Sequence, residues 1–333
     1  MIDPKTLPRI YLDTNHWIGL ARIAQGKNND QTCQKLYSDL IQLRNSNRIL
    51  IPFSSYIFFE IIKQNNRERG SEMIDFLIDV SQGWFFKPIE KYFKYEILNA
   101  CYRKLKRPIR YNLSSQLLTN RIDSIIGGHI GKIVPREGHQ PSLEEQERAQ
   151  KIWDDGVKDR KIMKMMLKDE ILNSYANHEA RIMDNLATKI EQDRHNTYGV
   201  SGVVFDKYLK VKWIIELFTP DFAEILYHNK IPREKFFENK EELESLIDDM
   251  PALNAFVELS YARDKESKER RVQRNDYYDI CHFATALPYA NVMIGEKMFT
   301  SLSKRQKLDQ KNNCVIFHSL SDLAKHDVIK LFG

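Results

Sequence analysis

Five acids in this chain have surroundings that suit chemistry. Asp13 closes the apolar run Ile10-Tyr11-Leu12, Glu60 ends the stretch "SSYIFFE", Asp276 and Asp279 lie one helical turn apart in "NDYYDICHFATAL", and Glu296 follows "VMIG". Grouped carboxylates repel one another, and a bound Mg²⁺ or Mn²⁺ with hard oxygen ligands removes that repulsion. In phosphodiester hydrolysis such ions activate a water and neutralise charge on the attacked phosphate. Each acid alone also has an ordinary explanation. Asp13 or Asn15 can cap a helix, Glu60 can pair with Lys63, Asp276 can favour a helix dipole from the first turn, and Glu296 can face solvent beside Lys297.

The elements that must position these residues are legible in outline. Residues 10 to 13 read as a strand, 16 to 45 as one or two helices, and 47 to 54 as a second strand ended by Pro52. A helix with apolar positions 57, 58, 61 and 62 follows, with Ser54 or Ser55 as its N-cap. Residues 83 to 90 suit a short strand or an edge segment. From 96 to 255 the chain is highly charged and helix-rich: Ser142 and Glu145 make a capping-box pattern, and Met163, Leu167, Ile171, Tyr175, Ile182, Leu186 and Ile190 form an apolar stripe. Gly127-Gly128 fits neither of the glycine patterns that cradle phosphates, and the acidic stretch from Glu234 to Asp249 reads as a solvated or domain-facing surface. The alternation then returns, with a helix capped by Asn275 and stopped at Pro288, a strand over 290–295, a helix over 298–305, a strand over 314–318 and a closing helix over 319–332. Strands separated by helices imply a parallel sheet covered on both faces, with its functional edge where the strands end.

The bulk numbers agree with a globular chain. Its 333 residues suffice for two units or for one domain with a large insertion, and 42% hydrophobic with 29% charged residues excludes dominant disorder. No apolar stretch approaches the ~20 residues needed to cross a bilayer, and Met1 to Lys5 lacks an apolar signal region, so a cytoplasmic location is expected. Cys33, Cys101, Cys281 and Cys314 lie too far apart for zinc spacing and read as buried free thiols. The net charge of +5 is mild but clustered: Arg103, Lys104, Lys106, Arg107 and Arg110 form one group, and Lys304, Arg305, Lys307 and Lys311 another. Such groups can meet nucleic-acid phosphates, although a solvated face is the commoner reason for a charged run.

The stretches "IYLDTNHWI", "ILIPFSSYIFFE", "NDYYDICHFATAL" and "VMIGEKMF" together resemble the PIN-domain ribonucleases over residues 8 to 95 and 260 to 333. In that pattern Asp13 and Asn15 match the first strand's Asp and nearby Asn, and Glu60 matches the helix acid that follows Pro52 and Ser54. Asp279 stands five residues before Ala284-Thr285-Ala286, and Glu296 three before Phe299, as the third and fourth acids do. The resemblance implies a three-layer α/β/α sandwich around a central parallel sheet, built from residues 1–95 and 256–333 and interrupted by a helical insertion over 96–255. It implies a Mg²⁺- or Mn²⁺-dependent endoribonuclease with Asp13, Glu60, Asp279 and Glu296 as catalytic metal ligands, Asp276 as an accessory ligand, and Asn15 and Ser54 in support. RNA is then the expected substrate, with Arg103, Lys104, Lys106, Arg107, Lys304 and Arg305 as candidate nucleic-acid contacts. A toxin or defence nuclease held by an inhibitory protein partner is the role the resemblance suggests, with a homodimer among the oligomeric states left open.

Two departures accompany it. Gly295-Glu296 stands where the family has Thr-x-Asp or Thr-Asp, and the insertion is far longer than the usual connection. A catalytically weak RNA- or protein-binding module acting through that insertion is therefore the main alternative. A phosphatase of the haloacid-dehalogenase type is disfavoured because Asn15 replaces the acid expected two positions after Asp13. His282 follows Asp279 by three residues on the same helical face, where it can stand behind a metal ligand or touch a phosphate, although a core histidine with a satisfied hydrogen bond is the commoner case; neither it nor His16 is counted as catalytic.

Overall fold

The computed structural model describes residues 3–63, 67–124, 142–168, 222–232, 245–266 and 271–332, with a few isolated positions between 181 and 192. Gly127-Gly128, Ile171, Tyr175, Ile182, Leu186, Ile190 and the part of the acidic stretch over 234–244 lie outside the described residues. Among the described residues the chain is a mixed α/β protein. In order it runs β1 (Ile10–Leu12), α1 (Thr14–Ala24), α2 (Gln31–Asn45), β2 (Phe53–Ser54), α3 (Ser55–Ile62), α4 (Arg67–Ser81), β3 (Phe85–Phe86), α5 (Ile89–Lys104), α6 (Leu113–Gln116) and β4 (Leu118–Thr119). There follow α7 (Leu143–Gly156), α8 (Arg160–Leu167), α9 (Pro251–Asp264), α10 (Arg274–Ala286), β5 (Val292–Ile294), α11 (Lys297–Arg305) and β6 (Val315–Phe317), with short helical turns around them.

β1, β5 and β6 form a parallel sheet in the order β1-β5-β6, with Leu12 paired to Ile294 and Ile294 to Phe317. A second small sheet pairs β2 parallel with β3 and β3 antiparallel with β4. A parallel bridge between Arg9 and Leu50 links the two sheets along the chain. Parallel strands need covered faces, and Ile10, Tyr11, Leu12, Met293 and Ile294 are fully buried, as are Trp17 on α1, Phe58 on α3 and Phe283 on α10. No helix among the described residues is long and apolar enough to cross a membrane.

The expected boundaries at 95/96 and 255/256 fall within the spans of α5 and α9, two helices that pack against each other. Glu96 on α5 accepts hydrogen bonds from the N–H groups of Ala252 (2.8 Å) and Leu253 (3.1 Å) at the start of α9. The segment expected to open the insertion also supplies β4, which completes the small sheet against β3. The helices beyond it dock outward: Lys164 and Lys168 reach Asp79 and Asp75 of α4 at 2.7 and 2.8 Å, while Met163 and Leu167 are buried. The Ser142/Glu145 capping box is formed. α10 starts one residue before Asn275, with Gln273 as its N-cap, because the Asp276 carboxylate takes the Gln273 N–H at 2.9 Å.

Candidate functional site

Asp13 and Glu296 stand at the ends of neighbouring parallel strands, each as the N-cap of the helix that follows. Asp13 N–H donates to the Ile294 carbonyl at 3.0 Å, which fixes the carboxylate beside Gly295. Its Oδ1 accepts the His16 N–H at 3.1 Å, as expected for a cap. Its Oδ2 is buried with no hydrogen-bond partner, and burial pushes this carboxyl above the usual range against the pull of His16. Glu296 spends its Oε2 on the N–H groups of Met298 (2.7 Å) and Phe299 (3.2 Å), so it caps α11 instead of merely facing solvent.

Glu60 comes from α3. Its Oε2 accepts the Thr14 hydroxyl and lies 3.1 Å from Nε2 of His282. Burial opposes its ionisation, but these two hydrogen bonds and the charges of His282 and Lys63 outweigh burial and hold it below the ordinary carboxylate value. Lys63 itself is turned to Tyr278, donating to the phenol and lying 4.5 Å from the ring centroid, so Thr14 and His282 are the direct partners of Glu60. Asp279 projects from α10. Its carboxyl is pushed up to about 9, first by burial and then by the negative charges of Glu60, Asp13, Glu296 and Asp276. The acids of the sequence pattern therefore share one electrostatic neighbourhood.

The remaining candidates fall into different places. Asp276 is buried, and its Oδ2 takes Nη2 and Nε of the buried Arg263 at 2.8 and 3.1 Å, a commitment that fixes the start of α10. Asn15 is exposed on the first turn of α1, and the group that holds Asp13 is the His16 backbone. Ser54 occupies the N-cap of α3 without capping it; its hydroxyl lies 2.8 Å from the Tyr11 hydroxyl and 3.3 Å from Nδ1 of His282. Tyr11 and Thr14 were not singled out by the sequence. A signal existed for Tyr11: a phenol two residues before Asp13 on a strand shares its face and needs a buried partner.

The two basic groups lie at the C-terminal ends of α5 and α11. α5 begins beside Tyr56, whose hydroxyl takes the Ile89 N–H, and passes Tyr289, whose hydroxyl donates to Glu96, just ahead of β5. Arg103 and Lys104 follow in the last turn of α5, and Lys106 and Arg107 just beyond it. Arg103 also pairs with Asp249 at 3.2 Å, and Arg305 with Glu266, while Lys106, Arg107 and Lys304 are exposed.

Gly295, the departure from the family pattern, has a packing cause. A Cβ on Gly295 would lie 2.7 Å from Cε2 of Phe283, so no side chain fits between the strand and α10. Among the described residues no three His, Cys, Asp or Glu side chains are already drawn tightly enough together to hold a metal ion. The donor set nevertheless suits one: hard oxygens, a buried carboxylate oxygen without a donor on Asp13, and a carboxyl on Asp279 that burial and then its negative neighbours push up to about 9. No protein-family model, curated protein or solved structure matches the chain.

Proposed function

We propose that the chain is a PIN-like endoribonuclease dependent on Mg²⁺ or Mn²⁺, with Asp13, Glu60, Asp279 and Glu296 as its working carboxylates. The observation that carries this reading is the gathering of Asp13, Glu60 and Glu296, from separate elements, around Asp279, whose carboxyl is pushed up by burial and then by their charges. Proteins keep such repulsion where a cation relieves it. Bound there, a divalent ion would lower the pKa of a coordinated water and neutralise charge on a phosphodiester. The chain's part is placement. Asp13 offers its unpaired Oδ2 from a rigid strand end, Glu60 offers the oxygen not held by Thr14 and His282, and Glu296 offers the oxygen not spent on α11. RNA as the polymer, a sandwich of three layers and an inhibitory protein partner come with the family resemblance. Asp276 is a holder of α10 in this reading.

The test is cleavage of RNA and DNA panels, structured and single-stranded, with Mg²⁺ or Mn²⁺, beside Asp13→Asn. Wild-type cleavage that the variant lacks is expected; equal metal-dependent cleavage by both sinks the proposal. A second reading, a catalytically weak RNA- or protein-binding module, draws on the capping work of Asp13 and Glu296 and on the absence, among the described residues, of a ready metal-holding group. RNA binding without cleavage would favour it.

A further inference from the structure

His282 is buried on α10, one turn after Asp279, and both of its ring nitrogens are engaged. Nδ1 lies 2.6 Å from the Tyr11 hydroxyl and 3.3 Å from Ser54 Oγ, and Nε2 lies 3.1 Å from Glu60 Oε2. A carboxylate only accepts, so the contact to Glu60 places a proton on Nε2. The phenol and the serine hydroxyl then hold the opposite side of the ring. The Thr14 hydroxyl, from the first residue of α1, falls on the same carboxylate oxygen. Both donors thus converge on Oε2, and Oε1 is the oxygen left for a ligand.

We infer that His282 is a positioning residue that aims Glu60 at the acidic cluster, with Tyr11 and Ser54 fixing its ring. The inference rests on the nuclease reading above and goes beyond it, because it assigns a role to a buried histidine network outside the carboxylate set. A merely structural histidine needs no particular nitrogen toward Glu60. Here the imidazole joins β1, α3 and α10, the three elements that carry Asp13, Glu60 and Asp279, so the orientation of Glu60 is tied to the strand and helix that place its partners. Groups that orient ligands in this way are worth 10- to 100-fold in metal affinity.

A pair of amides separates the two roles. Glutamine places its amide nitrogen near the position of Nε2 and asparagine near that of Nδ1. Mn²⁺ binding is read by electron paramagnetic resonance of the free ion, and folding by thermal melting, on the full chain. His282→Gln is expected to bind Mn²⁺ within about threefold of wild type, and His282→Asn to bind it at least about tenfold more weakly at a similar melting temperature. Equal Mn²⁺ affinity for wild type and both variants would overturn the role of His282 while leaving the metal site standing. A wild type that binds no Mn²⁺ would remove the metal reading itself, and the inference with it. Should both variants fail to fold, ¹⁵N chemical shifts of the wild-type imidazole decide: a protonated Nε2 is expected, and a proton on Nδ1 alone would overturn the assignment.

Discussion

Asp13 does two jobs with two oxygens, and the division makes them separable. Oδ1 caps α1 through the His16 N–H, and Oδ2 is left buried and unpaired. Asparagine caps a helix about as well as aspartate, so Asp13→Asn should keep the melting temperature near wild type while lowering metal-dependent cleavage by at least about 100-fold, whereas Asp13→Ala should also lose about 1 kcal/mol of stability. Melting curves beside single-turnover assays check both. Gly295 has the opposite character, a residue fixed by what it lacks. Gly295→Thr would restore the hydroxyl of the family pattern, but its Cβ meets the Phe283 ring, so a loss of about 1–3 kcal/mol is expected. Denaturant unfolding of Gly295→Thr in the background of Phe283→Ala should recover part of that loss; a single variant as stable as wild type would show that the ring yields.

Among the elements, α9 shows which parts of the architecture were legible in the sequence and which were not. Its N-cap residue Met250 makes no side-chain cap, and the free N–H groups of Ala252 and Leu253 are met instead by Glu96, 156 and 157 positions away in the chain. Strand ends and helix starts such as Leu12-Asp13 and Ser142 to Glu145 announce themselves because the partner atoms are three residues apart. Ser54 announced a cap in the same way and was claimed by Tyr11 and His282, which local spacing cannot foresee. The carboxylate set was readable from its strand-end and helix-face positions; Thr14, Tyr11 and His282 joined it through contacts that exist only once the sheet forms. Glu96 also gives α9 a pH signature. Burial raises its carboxyl from 4.5 to about 7 despite the Tyr289 and backbone donors, so the folded state binds its proton more tightly than the unfolded chain. Its contribution is complete below the unfolded value of 4.5 and is lost as pH rises through about 7. Relative to Glu96→Gln, wild type should therefore be more stable at pH 4.5 than at pH 8 by up to about 3 kcal/mol, measured by denaturant unfolding at each pH. A difference that does not change with pH would mean that the Glu96 carboxyl binds its proton equally well folded and unfolded.

For the whole molecule, the cluster at the strand ends is a local cost that the surrounding core sustains. Asp13, Glu60, Asp279 and Glu296 come from α3, α10 and the ends of β1 and β5, so relaxing their repulsion would require moving elements buried on both faces of a sheet. The fold instead holds a proton at Asp279, whose carboxyl sits near 9. A divalent ion would replace that proton, and anything that binds only the folded state stabilises it by mass action, about 2.7 kcal/mol at a concentration 100 times its Kd. For a chain of this size that predicts a rise of roughly 5 °C in melting temperature with saturating Mn²⁺. Asp279→Asn should move the metal-free protein the other way from most substitutions, melting higher at neutral pH because the fold no longer has to keep a proton on a carboxyl that is ionised in the unfolded chain, and should lose the response to Mn²⁺. Calorimetry with and without the ion distinguishes the outcomes. A higher metal-free melting point together with a lost Mn²⁺ shift marks a site held in tension for a cation. A wild type indifferent to Mn²⁺ would leave Asp13 and Glu296 with their capping roles alone, and the binding-module reading would take precedence over the nuclease.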